Sequence, residues 1–329
     1  MPEGHSVHRI ARQFALHFVG KQVEVSSPQG RFAIGAKQLD GHRMTQAKAV
    51  GKQMFLEFDN DLWLHVHLGL YGAWDFAGDI TADATMASSG GRMGQTNQKG
   101  TVVGDGVVGM HEDSLASIGA PRRTRLRMSE QEKLEAPIDS FPPEPIGAVR
   151  VRLLTEATVA DLRGPTACNV LRPDEVAAQL AKLGPDPLVD TDKAAEDRFV
   201  ATVLRKPTPI CLLLMDQSVV AGIGNVYRAE LLFRARLNPH IPGRDLPEAT
   251  VRALWKDWAK LLTIGVQTGQ MMTMDGLDAE AYNGALASRS DRHWVYHRTG
   301  EPCRVCGTPI VMEEMGGRKL YWCPKDQAS

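Results

Sequence analysis

The N-terminus of the chain places two reactive groups side by side. The sequence begins Met1-Pro2-Glu3, and removal of Met1 would leave Pro2 with a free secondary amine beside a carboxylic acid. Such an amine attacks an aldehyde or a sugar C1′ to form a cationic iminium, which is an electron sink for elimination. A terminal amine titrates near ~8, well below the ~10.4 of lysine, so a useful fraction is neutral at physiological pH. Glu3 could protonate a leaving group or a ring oxygen.

The same two residues also suit an ordinary helix start. Proline and acidic residues are both favoured in the first turn of a helix. A helix N-terminus favours the charged carboxylate, so Glu3 needs apolar burial if it is to donate a proton. Taken alone, the pair favours the helix start, and the chemical interpretation depends on what the rest of the chain supplies.

Two further segments place candidate side chains on turns. Lys52 precedes a predicted strand and could donate a proton or hold a phosphate; a solvated turn lysine is the alternative. Leu70 and Tyr71 lie between glycines in Leu68-Gly69-Leu70-Tyr71-Gly72. If exposed, they could enter a base stack and fill the space of an extruded base. The alternative is a hairpin that closes onto the core.

Asn225 and Arg318 are candidate phosphate contacts. Asn225 follows Gly222-Ile223-Gly224 at a predicted helix start, where backbone N–H groups and the amide could hold an anion. Arg318 follows two glycines at a predicted hairpin tip, where a guanidinium could bind a phosphate with two hydrogen bonds. Each signal is weak alone, because many helix turns share the first pattern and a solvated arginine explains the second.

Three of the five cysteines have the spacing of zinc ligands. The pattern is Cys303-x2-Cys306-x16-Cys323-x2-Asp326. A carboxylate can ligate zinc but is unusual in a structural site. The fourth ligand could instead be His293, His297 or water, and a hairpin without metal is a further alternative. The odd, clustered cysteine count indicates a reducing compartment rather than disulfides.

The composition fits a globular protein with two domains. The chain has 329 residues, of which 43% are hydrophobic and 23% charged, with a net charge of −1. The net charge is not basic, so the composition alone does not indicate a nucleic-acid partner. Such a partner contacts the charge of one face of a protein rather than its net charge, so the composition does not exclude one either. Without an apolar run of membrane-spanning length or a signal-peptide pattern, the sequence predicts a cytoplasmic protein.

The elements that must position these residues follow from periodicity. Apolar residues from Val7 to Phe18 have helical spacing, so Pro2 and Glu3 lie at a helix N-terminus. Strands are predicted for Gln53 to Phe58, for the alternating residues 62–68, and for residues 148–156. Residues 77–146, rich in Gly, Ser and Pro and containing Arg122, Arg123, Arg125 and Arg127, are interpreted as a flexible insertion. The predicted helices that follow span residues 196–204, 209–215, 226–236 and 247–269.

Together, these motifs and their order resemble the formamidopyrimidine-DNA glycosylase and endonuclease VIII family of base-excision repair enzymes. The resemblance covers nearly the whole chain except the insertion. In the first half of the chain it rests on Met1-Pro2-Glu3-Gly4, Gly51-Lys52, His67-Leu68-Gly69-Leu70-Tyr71-Gly72 and Asp161-Leu162-Arg163-Gly164-Pro165-Thr166-Ala167-Cys168. In the second half it rests on Leu183-Gly184-Pro185-Asp186-Pro187-Leu188, Ala221-Gly222-Ile223-Gly224-Asn225-Val226-Tyr227-Arg228-Ala229-Glu230 and the terminal cysteine segment.

The resemblance implies an α+β fold: an N-terminal β-sandwich with a leading helix, followed by a helical domain with a helix–two-turns–helix and a zinc-finger-type hairpin. The expected boundaries are 1–171 for the catalytic domain, 172–190 for a linker, 191–294 for the helical domain and 295–329 for the finger. DNA would run in the cleft between the two domains. Zinc is the implied cofactor, and damaged DNA, duplex or single-stranded, is the implied partner of a monomer.

The resemblance also implies residue roles. Pro2 matches the Schiff-base nucleophile and Glu3 the acid, whereas Lys52 matches the lysine of β-elimination. Arg318 matches the finger arginine that grips phosphate and serves δ-elimination. The remaining implied DNA contacts are His67 and Asn225 on phosphates and Leu70 and Tyr71 in the void left by the flipped base.

The loop sequence Leu70-Tyr71-Gly72 favours the endonuclease VIII branch, which prefers oxidised pyrimidines. Asp326 departs from the family's four-cysteine zinc site, and the insertion is unusually long. A non-catalytic module that binds lesions or single strands is the alternative function. The presence of Pro2, Glu3, Lys52 and Arg318 together argues against it.

Overall fold

A computed structural model describes residues 2–80, 117–119, 141–288 and 291–328. Most of the predicted insertion, including its four arginines, lies outside these residues. The chain divides into two compact units. The first contains Met1–Leu180 and Val266–Gln270, and the second contains Ala181–Gly265 and Met271–Ser329. Within the described ranges, no helix has the length and apolar character needed to cross a membrane.

The first unit is a β-sandwich with a leading helix. Its helices are α1 (Gly4–His17), α2 (Ala33–Leu39) and α3 (Pro173–Leu180). Its strands are β1 (Glu24–Ser26), β2 (Met44–Val50), β3 (Gln53–Phe58), β4 (Trp63–His67), β5 (Ala73–Gly78), β6 (Ser117–Gly119), β7 (Val149–Leu154), β8 (Thr158–Arg163) and β9 (Ala167–Leu171). They form a five-stranded sheet, β1-β7-β8-β5-β6, and a four-stranded sheet, β2-β3-β4-β9.

The core of this unit lies between the two sheets and α1. Leu56 and Leu64 of one sheet and Trp74 and Leu162 of the other belong to a single buried cluster, together with Phe14 of α1. The alternation predicted for β4 is confirmed, since Leu64 faces this core while Trp63 packs in a separate cluster on the opposite face. The fold therefore presents the polar side chains of β4 on the face that points away from the main core.

The second unit is mainly helical. Its helices are α4 (Lys193–Leu204), α5 (Ile210–Leu213), α6 (Asn225–Arg234), α7 (Glu248–Thr268) and α8 (Ala279–Ala287), with a 3-10 turn at Gly243–Asp245. Strands β10 (Val311–Met315) and β11 (Arg318–Trp322) pair as an antiparallel hairpin. The predicted fold class is confirmed: sheets form the N-terminal part, and helices and a hairpin form the C-terminal part.

Several elements differ from the sequence expectations or add to them. Helix α3 forms inside the predicted linker, and α2 and α8 were not predicted at all. Strand β6 lies inside the predicted insertion and pairs with β5, and Ile118 is fully buried in the main core. At least this short part of the insertion is therefore packed structure.

Candidate functional site

Pro2 and Glu3 lie at the start of α1 and are both buried. Glu3 is 0% exposed and occupies the N-cap position with an extended backbone. Its main-chain oxygen accepts a hydrogen bond from the Ser6 amide at 3.0 Å, whereas its side chain makes no capping hydrogen bond. The carboxyl group is therefore buried at the start of the helix, and it makes no hydrogen bond that caps the helix.

The polar face of α1 is buried as well. His5, Ser6, Arg9 and Gln13 are at most 1% exposed. Burial and then the charge of Arg9 hold the pKa of His5 well below its usual range, so this imidazole is neutral at pH 7. Arg9 Nη1 donates to the carbonyl oxygen of Gly269 at 3.4 Å, which fixes the helix that carries Pro2 and Glu3 within its unit.

Lys52 and His67 meet at one end of the four-stranded sheet. Lys52 lies in the turn between β2 and β3, and the next residue, Gln53, pairs with His67 on β4. Burial, followed by the positive charge of Lys52, lowers the pKa of His67. A neutral imidazole can still donate one N–H to a phosphate oxygen. The structure therefore brings together two of the predicted site residues.

We expect the neighbouring His65 to make the fold acid-sensitive. Burial lowers the pKa of His65 from 6.5 to about 4. Between these values the unfolded chain binds the proton and the folded chain does not, so stability falls as pH drops from 6.5 towards 4, by up to about 3 kcal/mol. His65→Gln should flatten this part of the stability–pH profile in urea unfolding.

The control is Leu56→Ala, because Leu56 is buried in the main core on the opposite face of the same sheet, whereas Phe55 stacks on the His65 ring. This variant should be less stable at every pH and keep the wild-type slope. A wild-type slope in His65→Gln would contradict the assignment of the acid sensitivity to this imidazole.

Leu70 and Tyr71 lie on an exposed turn between β4 and β5. Leu70 is 42% exposed and Tyr71 is 79% exposed, so the alternative in which the hairpin closes onto the core is wrong. Gly69 has a φ of +65°, and a Cβ at this position would overlap Thr166 Oγ1. The glycine is therefore required for the close approach of the turn to Thr166, the residue before β9.

We predict that Gly69→Ala destabilises the first unit by about 2 kcal/mol or more, because it adds a steric clash to an unfavourable φ. Gly30→Ala is the matched control, since Gly30 has a φ of +81° and open space around its Cβ position. The difference between the two variants in denaturant unfolding measures the clash. Thr166→Ala should restore part of the stability of Gly69→Ala; equal losses at both glycines would contradict the prediction.

In the second unit, Asn225 and the Arg318 turn are held together. Asn225 is the first residue of α6 and is mostly buried. Its Nδ2 donates to the carbonyl oxygen of Lys319 at 2.8 Å. Arg318 is exposed and directly precedes Lys319, after Gly316 with a φ of +60° and Gly317 with a φ of +69°. The amide of Asn225 thus fixes the backbone beside the predicted phosphate-binding arginine.

Arg228 is a contact residue to which the sequence reasoning gave no role. It is fully buried on α6, and its Nη2 donates to Asn225 Oδ1 and to the Lys319 carbonyl. The available signal was its position one helical turn after Asn225, where two side chains lie on the same face. Arg228 therefore orients Asn225 and supports the same backbone segment.

The zinc-ligand pattern converges in space. Among the described residues, the ligand atoms of Cys303, Cys306, Cys323 and Asp326 all lie within 4.8 Å of one another. His293 and His297, named as alternative ligands, do not belong to this group; the His297 ring stacks on Tyr321 instead. Three sulfur donors and one carboxylate at these separations suit a tetrahedral zinc ion. The other two cysteines are unreactive, because burial raises the pKa of Cys168 to about 12 and that of Cys211 to about 11.

Comparisons with known proteins agree with this geometry. Residues 1–104 match the formamidopyrimidine-DNA glycosylase N-terminal domain, 183–275 its H2TH domain, and 300–328 a zinc finger found in FPG and IleRS. Endonuclease 8 1 of Mycobacterium tuberculosis is 36% identical over 324 residues, which are 98% of each chain.

The chain belongs to the formamidopyrimidine-DNA glycosylase and endonuclease VIII family. It is a base-excision repair DNA glycosylase with AP lyase activity, and it binds zinc through its finger domain.

Other family members are similar over shorter or more divergent alignments. The formamidopyrimidine-DNA glycosylase of Prochlorococcus marinus is 36% identical over 156 residues, 47% of this chain and 52% of that protein. Among solved structures, a complex of the Lactococcus lactis Fpg with DNA containing N7-benzyl-Fapy-dG has a TM-score of 0.67 at 19% identity, with full coverage of both chains. The MutM protein of Thermus thermophilus has a TM-score of 0.63 at 22% identity, covering 100% of this chain and 99% of that one. These structures share the fold.

Proposed function

We propose that this glycosylase removes oxidised pyrimidines from damaged DNA through a Schiff base on Pro2 and cleaves the strand by β,δ-elimination. The observation that carries the proposal is the start of α1, where Pro2 lies next to a fully buried Glu3 whose side chain makes no capping hydrogen bond. The pyrimidine preference is supported by the exposed Leu70–Tyr71 turn and by the full-length similarity to an endonuclease 8 protein.

The proposed chemistry begins with the terminal amine. The Pro2 nitrogen attacks C1′ of the damaged nucleotide, and the base leaves with the electron pair of the glycosidic bond. Glu3 supplies a proton in this step, either to the base or to the ring oxygen. Opening of the sugar produces the cationic iminium at C1′.

The iminium makes the proton on C2′ more acidic. When that proton is removed, the bond between C3′ and the 3′ phosphate breaks and the phosphate leaves. We assign Lys52 to proton transfer in this β-elimination, because it lies at the end of the four-stranded sheet beside the partly buried His67. Arg318, exposed at the hairpin tip, is assigned to the second, δ-elimination, which expels the 5′ phosphate. Hydrolysis of the iminium then returns the Pro2 amine.

The DNA contacts are assigned from position and hydrogen-bonding capacity; the Asn225 amide has a second N–H besides the one that it donates to Lys319. His67 and Asn225 bind phosphates beside the flipped nucleotide, and Arg318 binds a phosphate through its guanidinium. Leu70 and Tyr71 fill the void in the duplex, and their stacking offsets an unstacking cost of roughly a few kcal/mol. We assign this activity to the cytoplasm and, in a bacterial cell, to the nucleoid.

Borohydride trapping on abasic-site DNA tests the proposal. The wild-type protein, with Pro2 confirmed as its first residue by mass spectrometry, should form a covalent adduct located on Pro2. The matched control is the same chain extended by Gly-Ser before Pro2, because the extension keeps every side chain and converts the amine into an amide. The extended chain should bind the DNA without forming an adduct. Binding without an adduct by the wild-type protein would instead indicate a non-catalytic lesion-binding module.

A further inference from the structure

Arg236 lies where the C-terminal end of α6 meets the zinc-ligand group. Its backbone is left-handed, with a φ of +53°, and its amide donates to the Phe233 carbonyl at 2.9 Å. Its guanidinium lies over the Phe233 ring, 4.5 Å from the centroid. From there, Nη1 reaches Asp326 Oδ2 at 3.5 Å. The backbone turn and the aromatic ring thus direct a positive charge onto the fourth residue of the ligand pattern.

The same helix end also holds the chain around the last two ligand positions. Gln327 is fully buried, and its Nε2 donates to the Leu237 carbonyl at 3.0 Å. Its Oε1 accepts a hydrogen bond from the Cys323 amide at 2.9 Å. Residues 323–327 are therefore anchored to residues 236–237 by contacts that do not involve metal. Asp326 is presented from a fixed backbone.

The distances agree with an oxygen donor at the fourth position. In a tetrahedral zinc site, sulfur and oxygen ligands lie about 3.5 Å apart and two sulfurs about 3.8 Å apart. Asp326 Oδ2 lies 3.0 Å from Cys303 Sγ and 3.7 Å from Cys323 Sγ, and the sulfurs of Cys306 and Cys323 are 3.5 Å apart. The carboxylate oxygen thus lies where a fourth cysteine sulfur would be needed to complete the tetrahedron.

A carboxylate ligand is less fixed in position than a thiolate, and a positively charged partner such as Arg236 can hold it in place. Either oxygen of a carboxylate can bind the metal, and rotation of the carboxylate group can move the bound oxygen away from the metal. A positive partner restricts that rotation and offsets the excess negative charge of three thiolates and a carboxylate around Zn²⁺. The side chain of Asp326 is only 16% exposed, so water screens this charge poorly.

We propose that Arg236 is a positioning residue for the zinc site, which holds the carboxylate of Asp326, the fourth member of the ligand group, so that one of its oxygens binds the metal. The site is then a sulfur–oxygen site with an arginine partner, in contrast to a four-cysteine finger. This proposal concerns zinc binding alone, so it stands or fails independently of the role of Pro2.

Cobalt substitution tests the identity of the ligand. The zinc-free protein is loaded with Co²⁺, and its thiolate-to-cobalt absorption in the near ultraviolet and its visible bands are recorded. Asp326→Cys should gain roughly one third in thiolate absorption, since four sulfurs replace three. Asp326→Ala should keep the thiolate absorption, shift the visible bands and bind the metal more weakly. Wild-type bands and affinity in Asp326→Ala would overturn the assignment.

The rate of zinc transfer from the protein to a coloured chelator tests the positioning role of Arg236. This measurement needs no DNA. Arg236→Ala should weaken zinc retention by about 10-fold or more, the usual effect of losing a partner that orients a ligand. Arg236→Lys should recover part of the loss. Arg244→Ala is the control, because it removes one exposed positive charge from the same unit, paired with Asp245 rather than a ligand. Equal zinc retention in Arg236→Ala and Arg244→Ala, with both variants folded by circular dichroism, would overturn the positioning role.

Discussion

Glu3→Gln should slow base excision by about 10²–10⁴-fold, the usual contribution of a general acid, and leave reaction with a preformed abasic site largely intact. Glutamine has nearly the same shape, so the fully buried position remains filled. What the variant loses is the proton that accompanies departure of the base. An abasic site carries no base and is a hemiacetal in equilibrium with its open aldehyde, which the Pro2 amine can attack without that proton.

Single-turnover cleavage of two oligonucleotides, one with an oxidised pyrimidine and one with an abasic site, measures both activities. Glu24→Gln is the matched control, because it removes an exposed carboxylate from the same unit and should change neither rate. An equal decrease on both substrates would show that Glu3 acts through the structure of the N-terminus and not as the acid for base departure.

Local periodicity was enough to predict the elements that carry the site. Strand β3 has the predicted bounds, Gln53–Phe58, and α7 begins and ends within one residue of the predicted helix. Both segments have a strong hydrophobic period and clear ends. Helix α3 was missed although its signals were present, since Pro173 opens it and Asp174 and Glu175 occupy the first turn. The turn-rich residues 183–188 that follow it are typical of a linker, and this pattern favoured a linker for the whole stretch.

The contacts between distant residues could not be predicted in this way. Strand β6 has three residues and is a strand only because β5 pairs with it. The hydrogen bond from Asn225 to the Lys319 carbonyl joins residues 94 positions apart, and the Arg236–Asp326 pair likewise depends on the tertiary fold. Sequence motifs indicate the candidate reacting groups, whereas the residues that hold them in place are set by contacts between distant parts of the chain.

Arg318→Ala should separate the two elimination steps. We expect the β-elimination product to accumulate and the amount of δ-elimination product to fall by at least about 10-fold. A decrease of this size is typical when a group that stabilises charge in a transition state is removed. DNA binding should weaken, and the slope of log K against log salt should decrease by about 1, as for the loss of one phosphate contact. Gel analysis of the 3′ and 5′ ends and titrations at several salt concentrations measure these effects.

The hairpin supplies its own controls for this prediction. Lys319→Ala removes the same charge from the neighbouring exposed position but keeps the backbone carbonyl that accepts the Asn225 amide, so it should leave the product ratio unchanged. Arg318→Lys keeps the charge without the planar fork that binds a phosphate with two hydrogen bonds, and it should fall between the wild type and Arg318→Ala. If Lys319→Ala changed the product ratio as much as Arg318→Ala, the general positive charge of the hairpin would be responsible. The geometry argues for Arg318 itself, because the Asn225 contact fixes the backbone directly after it.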